Sequence, residues 1–315
     1  MTDAQVQTMK ETRLIWRGIV AMSHLSVWSA PGNGGKTSLA KFAAGELAAD
    51  GFTVLFFQED ASAGDLPGLH QHAKDCGYSL LNSTLANQAP EDQIEVLRDL
   101  VSSAADLSEY VMFFDTLKKY TDLMSKSGAR EFFKMMRSLT QRGATVVLLG
   151  HTNKHKDTSG KLIFEGVGDV RNDVDELLYI EATDKDAGGI VTLTIKPDKV
   201  RCVVTEASFT LDTKTMQVTA CDSVVDVASI LEHKRRQKED PPVIEAIRTA
   251  LARGGMTITA LVDTVTKQGF NRRQVRDVVD RYSSTHPADP EAIWIETFMK
   301  INNARHIGLK PRATR

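Results

Sequence analysis

Two rhythms of apolar residues alternate through the first half of this chain. Largely apolar runs recur at 25–29, 52–57, 110–114 and 145–150. Runs of this length without alternation fit strands buried on both faces. Between them, apolar residues return at helical spacing: Leu39, Phe42, Ala43 and Leu47; Ile94, Leu97, Leu100 and Val101; Phe132, Met135, Met136 and Leu139. The first of these helices ends at Asp50-Gly51, a C-cap signal, and the third is predicted over 128–142. Strands alternating with helices predict an α/β fold, a mostly parallel sheet with helices on both faces. Residues 1–22 form a lead-in, with a short helix expected over 12–19.

The pattern changes after residue 176. Short apolar runs at 177–181, 190–196, 200–204, 208–211 and 216–219 predict an antiparallel extension with hairpins. A charged, proline-ended stretch follows at 233–242. Beyond it, three short amphipathic helices are marked by Val243, Ile247, Ala250 and Leu251, by Ile258, Leu261, Val262 and Val265, and by Val275, Val278, Val279 and Tyr282. Gly269 sits between the second and third, the outline of a helix-turn-helix. Residues 293–300 and 304–309 predict the hairpin of a wing. The expected domains are 1–222, a linker over 223–242, and a small helical, winged-helix-like domain over 243–315.

Composition narrows the class. Of 315 residues, 42% are hydrophobic and 25% charged, as in a soluble globular protein. No apolar run approaches a membrane span and the N-terminus has no signal-peptide core, so a cytoplasmic location without membrane contact is expected. Cys76, Cys202 and Cys221 have no metal spacing and read as plain thiols in a reducing compartment. The net charge of −2 hides an asymmetry: residues 233–315 carry 16 Lys/Arg against 9 Asp/Glu, a net of +7, which leaves −9 for the rest. A basic tail on an acidic body points to a C-terminal region that faces nucleic acid.

The chemistry concentrates in one stretch, Ala30-Pro31-Gly32-Asn33-Gly34-Gly35-Lys36-Thr37-Ser38, between the first apolar run and the first helix. This is a Walker A pattern with Ala30 where the first glycine usually stands. A glycine-rich turn can aim several backbone N–H groups at one centre, and the helix N-terminus adds positive potential there. Lys36 can reach the β- and γ-phosphates of ATP, and the Thr37 hydroxyl can hold Mg²⁺. Ala30 is tolerable if its φ stays negative. Asp115 ends an apolar strand expected beside the loop's strand and supplies the second Mg²⁺ ligand. Thr116 follows it, so the base that activates water must come from elsewhere. Glu59, at the end of another strand on the same edge, is the candidate, with Asp60 its competitor. His151 ends the next strand, where an imidazole can report on the γ-phosphate.

These pieces, in order, resemble the RecA-like ATPase core, especially plasmid RepA-type helicases and the DnaB-type replicative helicase core. The matching segments are Ala30 to Thr37, the strand ending in Glu59-Asp60, Phe114-Asp115-Thr116-Leu117, Leu149-Gly150-His151-Thr152-Asn153-Lys154, and the stretch 166–179. The resemblance covers about residues 14–205. It implies a RecA-like fold, Glu59 as catalytic glutamate, His151 as γ-phosphate sensor, and a homo-oligomeric ring, usually hexameric, with nucleotide between subunits. A Lys-x-Arg finger would enter from the neighbour; Lys199-Val200-Arg201 has that spacing, with Lys196 a rival. Lys154, Lys156 and Lys161 lie where the family's central-channel loops hold single-stranded DNA. Arg272, Arg273 and Arg276 open the third C-terminal helix, where a recognition helix would meet duplex DNA. No extended N-terminal domain like that of DnaB-type helicases is expected. The resemblance implies a helicase-like motor of a plasmid, phage or other mobile element. The alternative is a KaiC-like regulator or loader, switched by ATP, that assembles on DNA or a protein without unwinding.

Overall fold

The computed structural model describes residues 13–83, 85–86, 89–103, 105–123, 125–153, 162–165, 170–286, 288–299 and 303–310. It divides into two compact units, Met1–Ala228 and Ser229–Arg315.

The first unit opens on a hairpin, β1 (Leu14–Trp16) and β2 (Val20–Ala21), where a helix is expected over 12–19. Positive φ at Arg17 and Gly18 turns the chain back. The Trp16 ring stacks 5.6 Å from both Trp28 and Phe209, so tertiary burial decides this segment over local pattern. There follow β3 (Leu25–Ala30), α1 (Lys36–Ala49), β4 (Thr53–Gln58), α2 (Leu66–Cys76), β5 (Ser79–Leu81), α3 (Pro90–Ser102), β6 (Tyr110–Asp115) and α4 (Lys126–Gln141). Then come β7 (Thr145–His151), a short α5 (Val170–Asp173), β8 (Glu176–Ala182), β9 (Ile190–Lys199), β10 (Ala207–Asp212) and β11 (Val218–Ala220).

One sheet has the order β11-β10-β9-β8-β3-β7-β6-β4-β5. It is parallel from β8 to β5, and β9, β10 and β11 extend it antiparallel. Alternation along β3 sends Trp28 and Ala30 to one face, with Leu39, Ala43 and Leu47 of α1. Leu25 and Val27 go to the other, with Phe132, Met136 and Leu139 of α4. The expected α/β sheet with helices on both faces and an antiparallel extension is what forms.

Three details differ from the sequence reading. The strand that delivers Asp115, β6, does not lie beside β3, because β7 is inserted between them. Residues 200–204 form no strand; β9 runs on through Pro197 to Lys199, beyond the last residue paired with β10, and the chain then crosses to the hairpin turn, where Thr205 N–H donates to Gly18 O at 2.8 Å. Pro197 is tolerated there because its nitrogen faces no second ladder. The strand β5 and helix α2 have too little apolar periodicity to be legible; α2 buries only Leu66 and Ala73.

In the second unit, the stretch expected as a linker over 223–242 is, from Val227 on, part of one helix, α6 (Val227–Leu251), with Pro241 and Pro242 inside it. Its charges are spaced for helix rather than coil: Glu232 pairs with Arg235 and Arg236 on the next turn. Past the prolines Val243, Ile247 and Leu251 are buried, and Asp240 accepts from Arg281 and from the Tyr282 hydroxyl, which holds the turn on both sides. Next are β12 (Met256–Thr257), α7 (Ile258–Thr266), α8 (Arg272–Tyr282), β13 (Ser283–Ser284), β14 (Trp294–Phe298) and β15 (Arg305–Leu309). Asn271 caps α8 by accepting from Arg273 N–H at 2.8 Å, and β14 and β15 form an antiparallel hairpin. Trp294 is fully buried against α8, its indole N–H donating to Val279 O at 3.1 Å. Trp294→Ala should cost this unit about 3–5 kcal/mol by cavity formation, measured by denaturant unfolding. Among the described residues no helix is long and apolar enough to cross a membrane.

Candidate active site

The loop between β3 and α1 is shaped by close packing. Gly35 has φ +76°, and a Cβ there would come 2.8 Å from the Leu193 methyls on β9. A Cβ on Gly34 would come 2.9 Å from Pro31 O and 3.1 Å from Ala30 Cβ. Asn33 takes φ +60°, a left-handed conformation that asparagine tolerates better than most residues. Ala30 is fully buried and is not among the positive-φ residues, so its methyl fits where a glycine is usual. No side chain caps the N-terminus of α1. Its first N–H groups therefore lack both helix carbonyls and a cap, and present an anion site. Lys36 and Ser38 are buried there, and no ion pair among the described residues engages Lys36.

Asp115 sits under this loop. In parallel register Gln58 pairs with Asp115 and Asp115 with Leu149, while Ala30 pairs with His151, so β4, β6, β7 and β3 end on one edge. Asp115 Oδ2 accepts from Thr37 Oγ1 at 2.7 Å and from Gln58 Nε2 at 2.9 Å. Its Oδ1 is buried with no partner. An open carboxylate oxygen beside a threonine hydroxyl is the donor set of a hard cation, so these residues fit Mg²⁺. Ser29 Oγ, His151 Nε2 and Thr152 Oγ1 are also buried without partners at this edge. Buried polar groups are rarely left so, and their gathering at one place marks where a polar ligand belongs.

Three acidic or basic groups flank the loop. Glu59 donates its N–H to Asp115 O at 2.7 Å, and its carboxylate accepts from Ser83 N–H at 2.7 Å, Ser83 Oγ at 2.6 Å and Gln93 Nε2 at 3.2 Å. Three donors fix its orientation and leave about one lone-pair site open. Asp60 is exposed, and its charge is felt by His151. Burial first, then the charges of Lys36 and Lys118, hold His151 below the ordinary histidine value, so its imidazole is neutral at pH 7. Gln58, Ser83, Gln93 and Lys118 escape a sequence reading. Gln58 lies in a strand whose neighbours are apolar, and Ser83 follows β5, which the sequence does not announce.

Lys199 and Arg201 lie away from this edge. Lys199 pairs with Leu177 near the start of β8, several residues down the sheet from Ala30. Its ammonium donates to the carbonyls of Arg171 (2.5 Å), Asn172 (3.2 Å) and Val174 (2.8 Å), and so caps the end of α5. Arg201 is 54% exposed and pairs with Asp175 at 2.8 Å. Asp175 is buried and also accepts from Leu25 N–H at 2.9 Å and from Arg137. Neither cation can serve the phosphate loop of its own chain.

Of the expected DNA contacts, Lys154, Lys156 and Lys161 lie outside the described residues. The chain on either side is paired: Asn153 N–H donates to Ile163 O at 2.7 Å, and Glu165 N–H to His151 O at 2.9 Å. In the second unit Arg272, Arg273 and Arg276 are all exposed on α8; Arg272 is ion-paired to Asp263 on α7, and Arg273 more loosely to Asp277 at 3.9 Å.

The sequence matches no protein-family model and no curated protein. Among solved structures, this chain is similar to a KaiC-like protein, PH0186, from Pyrococcus horikoshii OT3, at 12% identity and a TM-score of 0.47, over 67% of this chain and 100% of that one. It is the loop's own geometry, rather than this likeness, that bears on function.

Proposed function

We propose that this chain is an ATPase of RecA-like type that works on DNA as a ring-forming, helicase-like motor. The ATPase part rests on one observation: Thr37, Gln58 and Asp115 form a bonded cluster beneath the uncapped start of α1, with Asp115 Oδ1 left open. ATP is the substrate that fits, since the uncapped N–H groups at the start of α1 and the Lys36 ammonium would face its phosphates, while the Gly34 N–H is taken by Pro31 O at 3.0 Å. Thr37 and Asp115 would hold Mg²⁺, which when bound would supply positive charge to the phosphate oxygens. Glu59 orients and deprotonates the attacking water from a side chain that Ser83 and Gln93 hold in place. His151, neutral with its Nε2 buried and open, meets the γ-phosphoryl oxygens.

Glu59→Gln should keep ATP binding and lose turnover by about 10²–10⁴-fold, because the amide keeps the shape and lacks the base. The check is equilibrium nucleotide binding beside steady-state hydrolysis. A larger loss of turnover in Asp60→Asn would move the role to Asp60, the exposed acid whose charge reaches His151.

The DNA part is supported by the +7 charge of residues 233–315 and by the exposed Arg273 and Arg276 on the second helix of a helix-turn-helix with an adjoining hairpin, a winged-helix arrangement. Arg273→Ala with Arg276→Ala should weaken duplex binding equally across sequences. It should also reduce the salt slope by about two. An unchanged slope would make this helix a protein-docking surface. The motor reading is tested by hydrolysis with and without single-stranded DNA and by opening of a forked duplex. Hydrolysis that DNA does not stimulate, with the fork left closed, would favour an ATP-switched assembly factor.

A further inference from the structure

Three chemically different ligands meet at the end of the sheet away from the phosphate loop. His24 precedes β3, Glu176 opens β8 and pairs with Ser26 in register, and Cys202 follows the end of β9. His24 Nδ1 lies 2.7 Å from Glu176 Oε1, and Cys202 Sγ lies 3.7 Å from the same oxygen. One ligating atom from each residue lies within 4.8 Å of the other two. Glu176 is 0% exposed, yet its Oε2 has no hydrogen-bond partner. A fully buried carboxylate oxygen without a donor is unfavourable, so the centre of the group is incomplete as a set of hydrogen bonds.

We propose that His24, Glu176 and Cys202 bind a divalent transition metal, and that the ion is zinc. An imidazole, a thiolate and a carboxylate suit a borderline-soft cation and not Mg²⁺ or Ca²⁺. Zinc bonds of about 2.0–2.3 Å in a tetrahedron set neighbouring donors roughly 3.3–3.8 Å apart. The Cys202–Glu176 spacing is already in that range, and the His24–Glu176 contact opens by about 0.6 Å or passes the ion to Oε2. Binding releases the Cys202 thiol proton to solvent, together with the proton that His24 Nδ1 shares with Glu176. Cys202 and His24 are both partly exposed, which leaves a route in and a place for a water as fourth ligand. Neighbouring Asp175 does not compete, because Leu25 N–H, Arg137 and Arg201 already occupy it. The ion would tie the turn that carries Arg201 to the starts of β3 and β8. The site does not depend on the nucleotide reading.

The test uses the full chain, stripped with a chelator, dialysed, and titrated with Zn²⁺ and separately with Co²⁺. The expected result is one ion per chain and a thiolate-to-cobalt charge-transfer band in the near ultraviolet. Cys202→Ser should abolish that band and weaken zinc binding at least about 100-fold, and Cys76→Ser should leave both unchanged. Cys202→Ser keeps the His24–Glu176 bond, and Cys202→Ala is a second variant should the serine perturb the fold. Zinc should raise the melting temperature of wild type and of neither variant. A wild-type chain that takes up no stoichiometric zinc, or a Cys202 variant that binds as wild type does, overturns the site and leaves His24 and Glu176 as a half-buried ion pair.

Discussion

Replacing Lys36 by alanine should leave a folded protein that no longer hydrolyses ATP. Lys36 is the first residue of α1 and is 7% exposed, and its charge is felt by His151 across the loop. It contributes no apolar contact to the core beneath α1, which Leu39, Ala40, Ala43 and Leu47 make. A buried ammonium without an acidic partner is a cost to the free protein. Removing it should leave the melting temperature unchanged or slightly raised. The loss falls on the transition state, where a charge-assisted contact to the transferred phosphoryl is missing. A single donor of this kind contributes about 10²–10³ in rate, and a full positive charge in a loop this enclosed should reach at least that. The measurement is steady-state hydrolysis beside thermal unfolding followed by circular dichroism. Unchanged turnover would remove the phosphate loop from the chemistry; lost turnover with lost structure would make Lys36 a structural residue.

Much of this was legible from residue order. The strands delivering Ala30, Gln58, Asp115 and His151 are continuous apolar runs, and each ends within a residue or so of its expected place. Such runs announce themselves because both faces must be buried, whatever the neighbours are. Neighbours are a different matter. Nothing in the apolar run of β6 states that β7 intervenes between it and β3, because the order of parallel strands is set by crossovers and not by any residue in the strand. The same limit hides the set around Glu59. Ser83 and Gln93 are remote in sequence; Ser83 reaches Glu59 because β5 lies beside β4, and Gln93 reaches it from α3. The 12–19 segment failed for a related reason: Trp16 and Ile19 satisfy a helical spacing, but Trp16 finds Trp28 and Phe209 to stack on, and a hairpin presents it to both. The charged stretch before Pro241 failed through its composition. Ion pairs at helical spacing keep it helical, and burial beyond the prolines outweighs the hydrogen bonds they remove.

Arg201→Ala protomers should be inactive alone and regain activity when mixed with Lys36→Ala protomers. Arg201 sits at the end of the sheet away from its own phosphate loop, 54% exposed, on a 2.8 Å contact with Asp175. Asp175 retains the Leu25 N–H and Arg137 when that contact is released, so the guanidinium can leave at little cost to the fold. Lys199 is placed differently, because its three bonds to backbone carbonyls hold α5. Lys199→Ala should therefore lower stability before it touches catalysis, and the two substitutions separate on a melting curve. If Arg201 stabilises charge on a neighbour's γ-phosphoryl, it contributes about 10³–10⁵ in rate. An Arg201→Ala chain keeps its phosphate loop and lacks the finger it would lend; a Lys36→Ala chain has the opposite defect. In a mixed ring some interfaces join an intact loop to an intact arginine. Given a contribution of that size, even a few restored interfaces would rise well above either parent. The measurement is hydrolysis across mixing ratios, with mixed assembly shown by differently tagged chains. Recovery that peaks at intermediate ratios places Arg201 in trans. A wild-type rate for Arg201→Ala alone leaves it as the arginine that pairs with Asp175, and the finger passes to Lys196, which Glu181 and Asp226 hold, or to Arg171, which pairs with Asp198 at 3.0 Å.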